Sequence, residues 1–188
     1  SKKKTDRAGV IDIGTSSIKL TIGDVAGKEF NILESLNTTL PVGNKTFNKG
    51  IVSQDIINQT LRILGKYKRV LKEYDVADIR VIATTAVREA KNRNIFIDTI
   101  YRKTGFRIEV LTVGDVVYYI DLYLSHFLKR AYPVLKKNLL IAELGAGSLD
   151  VSLFKKGLTI VNLGLQLGTL RIKQLMQEMD ISTEETID

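Results

Sequence analysis

Three observations in the sequence predict an α/β protein of two similar lobes, the second incomplete. An apolar strand that ends in an acid and a glycine turn occurs twice, at 8–14 and 139–145. Each copy leads into two further strand-like segments, so strand, acid, turn, strand, turn, strand spans 8–33 and again 139–163. Amphipathic helix periodicity fills the stretch between, the pattern of a layered α/β domain. The expected division is 1–131 for the first lobe and 132–188 for the beginning of the second. That second lobe stops after one helix, so the chain is expected to be part of a longer protein.

Ala8–Gly14 reads as a buried strand, and Ile18, Leu20, Ile22 and Val25 alternate as a second. A third passes through Phe30, Ile32 and Leu33. Residues 41–50 carry Pro41, Gly43, Asn44, Asn48 and Gly50, a loop composition. Ser53 suits a helix N-cap, because its hydroxyl can accept a free backbone N–H. Ile56, Ile57, Thr60, Leu61, Leu64, Tyr67, Val70, Leu71 and Tyr74 then recur at helical spacing over 54–74. Residues 78–84 read as a strand, 85–104 as mostly helix ending at Gly105, and 106–112 as a strand. Residues 115–131 read as an apolar, tyrosine-rich and buried helix, followed by a break at Pro133 and Lys136–Asn138. Strands at 139–145, 147–154 and 158–163 follow, then a helix after Gly168 through Leu170, Ile172, Leu175 and Met179.

Composition narrows the chemistry. There is no cysteine, so disulfides and thiolate catalysis are excluded. His126 is the single histidine, which rules out multi-histidine metal sites. No apolar run reaches the roughly 18 residues of a membrane span, and no signal peptide is visible at the N-terminus. A cytoplasmic, membrane-free protein is expected. The net charge of +7 suits polyanionic partners. Part of it lies in Lys2, Lys3 and Lys4, and part on a solvated helix face with Lys66, Lys68, Arg69 and Lys72.

The repeated turns carry a physical logic. In Asp12-Ile13-Gly14-Thr15-Ser16-Ser17, Gly14 lets backbone N–H groups approach an anion. The hydroxyls of Thr15, Ser16 and Ser17 add donors. Asp12 repels phosphate but can hold hydrated Mg²⁺, which takes one or two carboxylates plus phosphate oxygens. Glu143-Leu144-Gly145-Ala146-Gly147-Ser148 repeats the arrangement. Two matched turns can hold successive phosphates of one chain.

The stretch Val10–Leu20 resembles the first phosphate motif of the exopolyphosphatase and guanosine-pentaphosphate phosphohydrolase family, and by itself also that of sugar kinases and actin-like ATPases. Ile79–Arg93, with Ala83-Thr84-Thr85-Ala86-Val87-Arg88-Glu89, looks very like that phosphatase family's internal signature. Thr104–Leu111, Leu140–Ser148 and Gly168–Arg171 continue the match. The resemblance implies an actin-like, ribonuclease-H-like fold with the active site between lobes. It implies removal of terminal phosphate from polyphosphate or guanosine pentaphosphate with Mg²⁺. It places Gly14, Thr15, Ser16, Ser17, Gly145, Ala146, Gly147 and Ser148 in the phosphate loops. Arg88 becomes a phosphate-binding, catalytic arginine with a planar fork, and Asp12 and Glu143 the metal carboxylates.

Departures fall on the ligand positions. The family's catalytic glutamates coincide with Val116 and Val117, leaving Asp115 as the nearby carboxylate. Asp115 is either a substitute base or a helix cap. Glu143 stands for an aspartate, Ser16 for asparagine, Ala146 for glycine, and Pro41 near a usual arginine. Tyr118, Tyr119 and Tyr123 read as core and lobe-interface residues rather than a base-stacking platform. The expected function is a phosphohydrolase, with a non-catalytic polyphosphate or nucleotide sensor as the alternative. An actin-like kinase or assembly ATPase is a third reading. No specific nucleic acid is expected, and a homodimer is compatible with the sequence.

Overall fold

The computed structural model describes residues 6–27, 29–123, 138–156 and 158–179. They form two compact units that divide at Val110/Leu111. The lobe boundary expected at 131/132 lies outside the described residues, as do residues 124–131 of the expected helix and the break at Pro133, Lys136 and Lys137.

The first unit is built on a five-stranded sheet of order β3-β2-β1-β4-β5. β1 (Asp6–Ile13), β2 (Ser17–Ala26) and β3 (Glu29–Thr39) form an antiparallel meander. β4 (Asp78–Ala83) runs parallel to β1, and β5 (Ile108–Val110) parallel to β4. The 20-residue helix α2 (Gln54–Glu73) packs its apolar stripe on the sheet. Ser53 caps it as expected, accepting the Ile56 N–H. Tyr67, buried on α2, donates its hydroxyl to Ile18 O at 2.9 Å, which staples the helix to β2 beside the first glycine turn.

Two expectations fail here for tertiary reasons. Residues 41–50 are not a loop: α1 (Val42–Lys49) occupies them. Val42 and Thr46, four apart, are buried on one face. The Thr46 hydroxyl is satisfied by Val42 O, and Gly50 closes the helix at φ 71° with its N–H on Thr46 O. The helix expected over 85–104 is broken into α3 (Thr85–Glu89) and α4 (Arg93–Thr104). The break is imposed from outside. Lys91 N–H donates to Gly50 O at 2.8 Å, and the Asn92 amide binds both the N–H and the C=O of Val52.

The second unit repeats the meander. β6 (Asn138–Leu144), β7 (Leu149–Lys155) and β8 (Leu158–Leu165) are antiparallel in that order. The repeat extends to its irregularities. The β2–β3 register slips between Ile22 and Gly23, and the β7–β8 register slips between the equivalent Leu153 and Phe154. The strand order and the repeated meander are those of the α/β class expected from the sequence.

One face of this second sheet reads in rows as Leu140–Leu153–Val161, Ala142–Val151–Leu163 and Leu144–Leu149–Leu165. Its edges are open, with Leu140 65% and Leu163 52% exposed. In the first unit the matching positions Ile11, Ile13, Ile18, Leu20 and Ile22 are fully buried in the core to which α2 contributes its stripe.

α5 (Val113–Tyr123) and α6 (Thr169–Glu178) complete the second unit. α5 begins two residues earlier than expected. The burial expected of its tyrosines is not found for Tyr118 and Tyr123, which are 58% and 59% exposed, whereas Val117 is buried. The Tyr118 and Tyr119 rings meet each other at 5.6 Å in a tilted pair. Among the described residues, no helix is long and apolar enough to cross a membrane.

Candidate functional site

The first turn joins β1 to β2 and is closed by Gly14 N–H on Ser17 O at 2.9 Å. The second joins β6 to β7 and is closed by the same bond, Gly145 N–H on Ser148 O, at the same 2.9 Å. The two turns that matched in sequence therefore match in backbone geometry.

Both turns are backed by a helix start. Gly43 N–H, in the first turn of α1, donates to Thr15 O at 2.9 Å, and Leu40 N–H donates to Ser16 O at 3.0 Å. In the second unit Thr169 and Leu170 N–H, in the first turn of α6, donate to Gly145 O and Ala146 O at 3.0 Å each. Arg171 Nε donates to Gly147 O at 2.7 Å. These bonds hold the turn carbonyls against the helix. A trans peptide points its N–H opposite to its C=O. Among the described residues, no hydrogen bond engages the N–H groups of Thr15, Ser16, Ala146 or Gly147. Opposite the held carbonyls lie the N–H of Ser16 in the first turn and those of Ala146 and Gly147 in the second, and N–H donors on one side of a turn form an anion-binding concavity. The helix ends add positive potential behind it, and each backing bond polarises the peptide that it touches.

The side chains divide the work unevenly. Ser16 is exposed and Ser17 half-buried, so their hydroxyls can meet an oxyanion, whereas Thr15 is buried. The Ser148 hydroxyl donates to Asp150 Oδ2 at 2.9 Å. Gly147 is buried, and Gly145 and Ala146 are half-buried. Gly168, at the N-cap of α6, rests directly on the Ala146–Gly147 peptide.

The carboxylates sit at strand ends. Asp12, half-buried, pairs across β1–β2 with Lys19, an opposite charge. Glu143, exposed, pairs across β6–β7 with Asp150, a like charge.

Arg88 lies on α3, which leaves β4 at the strand end next to the first turn, where Thr84 N–H donates to Ile13 O at 3.3 Å. Its Nη2 donates to Thr85 Oγ1 at 3.2 Å. The first turn, Asp12 and the helix bearing Arg88 thus share the C-terminal edge of the parallel strands β1 and β4, where α/β sheets bind ligands.

Asp115 is the third residue of α5 and forms a capping box with Thr112. Its Oδ2 accepts the Thr112 N–H at 2.8 Å and the Thr112 hydroxyl at 2.7 Å, and its own N–H donates to Thr112 Oγ1 at 3.1 Å. Those bonds from Thr112 hold its carboxyl below the usual carboxylate range. Val116 is half-buried and Val117 buried.

Sequence reasoning missed the backing donors. The loop composition of 41–50 hides Gly43 as a helix-start donor, although Val42, Thr46 and Phe47 stand at helical spacing before Gly50. No sequence signal assigns Arg171 to a carbonyl of a turn 24 residues away.

Comparison with known proteins agrees with this geometry. A family model described as the Ppx/GppA phosphatase family matches residues 20–188. A bifunctional 3-dehydroquinate synthase/phosphatase of Fusobacterium nucleatum is 28% identical over 87% of this chain and 25% of its own length. Exopolyphosphatase 1 of Mycobacterium leprae is 25% identical over 88% of this chain and 48% of its own length. The crystal structure of the Aquifex aeolicus Ppx/GppA family member superposes with a TM-score of 0.75 at 27% identity, covering 90% of this chain and 54% of that one. The chain spans a quarter to about half of these relatives.

Proposed function

The chain belongs to the Ppx/GppA phosphatase family, and on that premise we propose that it binds phosphate groups on its glycine turns and releases the terminal phosphate of inorganic polyphosphate or guanosine pentaphosphate. The observation that carries this reading is the matched pair of turns, each closed by the same 2.9 Å bond and each with its carbonyls held by donors that include a helix start. Phosphoryl transfer needs little covalent help from a protein; positioning and charge stabilisation supply most of the rate. The turn N–H groups hold phosphate oxygens, and the Ser16 and Ser17 hydroxyls add donors on the first turn. Arg88 brings a fixed positive charge to the phosphoryl group under attack by water.

A divalent cation fits the residues present. Asp12 and Glu143 each stand two residues before a turn glycine, and among the described residues the buried Asp150 Oδ1, across the strand pair from Glu143, has no hydrogen-bond partner. Asp12 at the first turn, or Glu143 at the second, would hold Mg²⁺ alongside the substrate's own oxygens. When bound, the ion would neutralise charge on the phosphates.

The capping box of Asp115 favours a second reading. A carboxylate that ties down Thr112 is poorly suited to taking a proton from water, and Val116 and Val117 cannot take one. On that reading the protein binds polyphosphate or a guanosine polyphosphate as a sensor and does not hydrolyse it.

Phosphate release from polyphosphate and guanosine pentaphosphate, with and without Mg²⁺, separates the two. Release that disappears in Arg88→Ala supports hydrolysis. Binding by calorimetry without release supports the sensor. Neither binding nor release overturns both.

A further inference from the structure

The two turns differ in one respect. In the first, the carbonyl of Ser16 is held by a main-chain donor, Leu40 N–H. In the second, the equivalent carbonyl, that of Gly147, is held by a side chain, Arg171 Nε, at 2.7 Å. This is the shortest of the three bonds from α6 to the turn, and its donor is charged, which roughly doubles the strength of such a bond. The residue held also differs. Ser16 has a Cβ that restricts its backbone, whereas Gly147 has none and loses the most freedom on being fixed. A glycine in the middle of the turn therefore gains more from a strong tether than a serine does. Gly147 is buried in place under that tether, and Gly168 leaves room for the Ala146–Gly147 peptide to be drawn onto α6.

We propose that Arg171 is a positioning residue of the second phosphate turn: its Nε–H fixes the Gly147 carbonyl against α6 and so locks the backbone of Gly147, whose own N–H lies opposite the Ala146 carbonyl held by Leu170. It acts through the turn and not by touching the phosphate. The inference rests on the phosphate-binding reading of that turn. Lysine is a poor substitute, because a point charge on a flexible stem lacks the planar guanidinium that presents Nε–H along one direction.

The test is calorimetric titration of inorganic tripolyphosphate into the parent protein, Arg171→Ala and Arg171→Lys, each at low salt and at about 0.5 M salt, where surface electrostatics are largely screened. Amide relaxation of Gly147 is followed in the same samples. The expected result is a roughly tenfold or greater loss of affinity in Arg171→Ala that persists at high salt. The Gly147 amide becomes more mobile, and Arg171→Lys lies between the two. Should Arg171→Ala not fold, Arg171→Lys decides, with a salt-resistant loss and a mobile Gly147 as the supporting outcome. A loss that vanishes at high salt would mean that only charge matters and would overturn the proposal. Unchanged affinity, or a Gly147 amide as rigid as in the parent, would overturn it too. A parent protein that binds no tripolyphosphate would instead sink the phosphate-binding reading itself, and the inference with it.

Discussion

Gly168 lies so close to Ala146 that a Cβ on Gly168 would collide with the Ala146 carbonyl and with the carbonyl carbon of Gly147. Its φ of −73° is open to any residue, so space alone demands glycine here. The contact joins the start of α6 to the back of the second turn, and the donors from Thr169, Leu170 and Arg171 depend on it.

Gly168→Ala is therefore expected to push α6 off the turn. Overpacking of this kind costs about 1–3 kcal/mol. Urea denaturation should show a lowered midpoint, and tripolyphosphate affinity should fall with it. Parent-like behaviour in both measurements would mean that the turn is not built on this contact.

Asn92 ties the break between α3 and α4 to Val52 through both of that residue's backbone groups, at 2.9 and 2.8 Å. Asn92→Ala leaves an N–H and a C=O unsatisfied in a half-buried place, at a cost of about 1–3 kcal/mol. α1 and α3 should loosen together, and amide exchange in Val42–Lys49 and Thr85–Glu89 should accelerate. Exchange confined to Asn92 itself would contradict that coupling.

Tyr67→Phe removes the hydroxyl that reaches Ile18 O and shares a 2.8 Å bond with Thr38 Oγ1. A loss of about 1 kcal/mol is expected from thermal or urea unfolding. Parent-like stability would mean that the hydroxyl does not hold α2 to the sheet.

Asp115 gives a pH test with a definite sign. Its folded-state carboxyl is more acidic than in the unfolded chain, because Thr112 bonds the charged form. The stabilisation is therefore fully present above the ordinary aspartate range of about 4. It is lost as pH falls through the lower folded value. Asp115→Asn should be less stable than the parent at neutral pH and converge with it in acid. A gap that stays constant down to acid pH would show that the carboxylate's charge does not matter to the cap.

Arg88→Lys keeps the charge but not the planar fork. If Arg88 binds the phosphoryl group in that fork, phosphate release should fall by about 10²-fold or more, in line with removing a transition-state donor. Near-parent release would reduce Arg88 to a general positive charge.

Much of this was legible in the sequence because it rests on local rules. The acid and glycine pairs Asp12–Gly14 and Glu143–Gly145 marked the two turns, and strand alternation around them set the meanders. Ser53 and Gly105 marked helix ends where the structure has them. The misreadings share a cause. Composition called 41–50 a loop, but burial of Val42 and Thr46 made it a helix. Periodicity ran one helix through 85–104, but Asn92 had a stronger partner in Val52.

The sequence by itself determined the repeat, the places of the two turns and the kinship with Ppx/GppA phosphatases, since each is written in residues adjacent along the chain. Only the tertiary structure decided how the turns are held. Gly43, Leu40, Thr169, Leu170 and Arg171 donate to the turn carbonyls. It also decided that the Asp115 carboxyl is engaged by Thr112. The physical reason is that a hydrogen bond depends on distance and direction in space, and segments far apart in the chain come within about 3 Å only when the core closes.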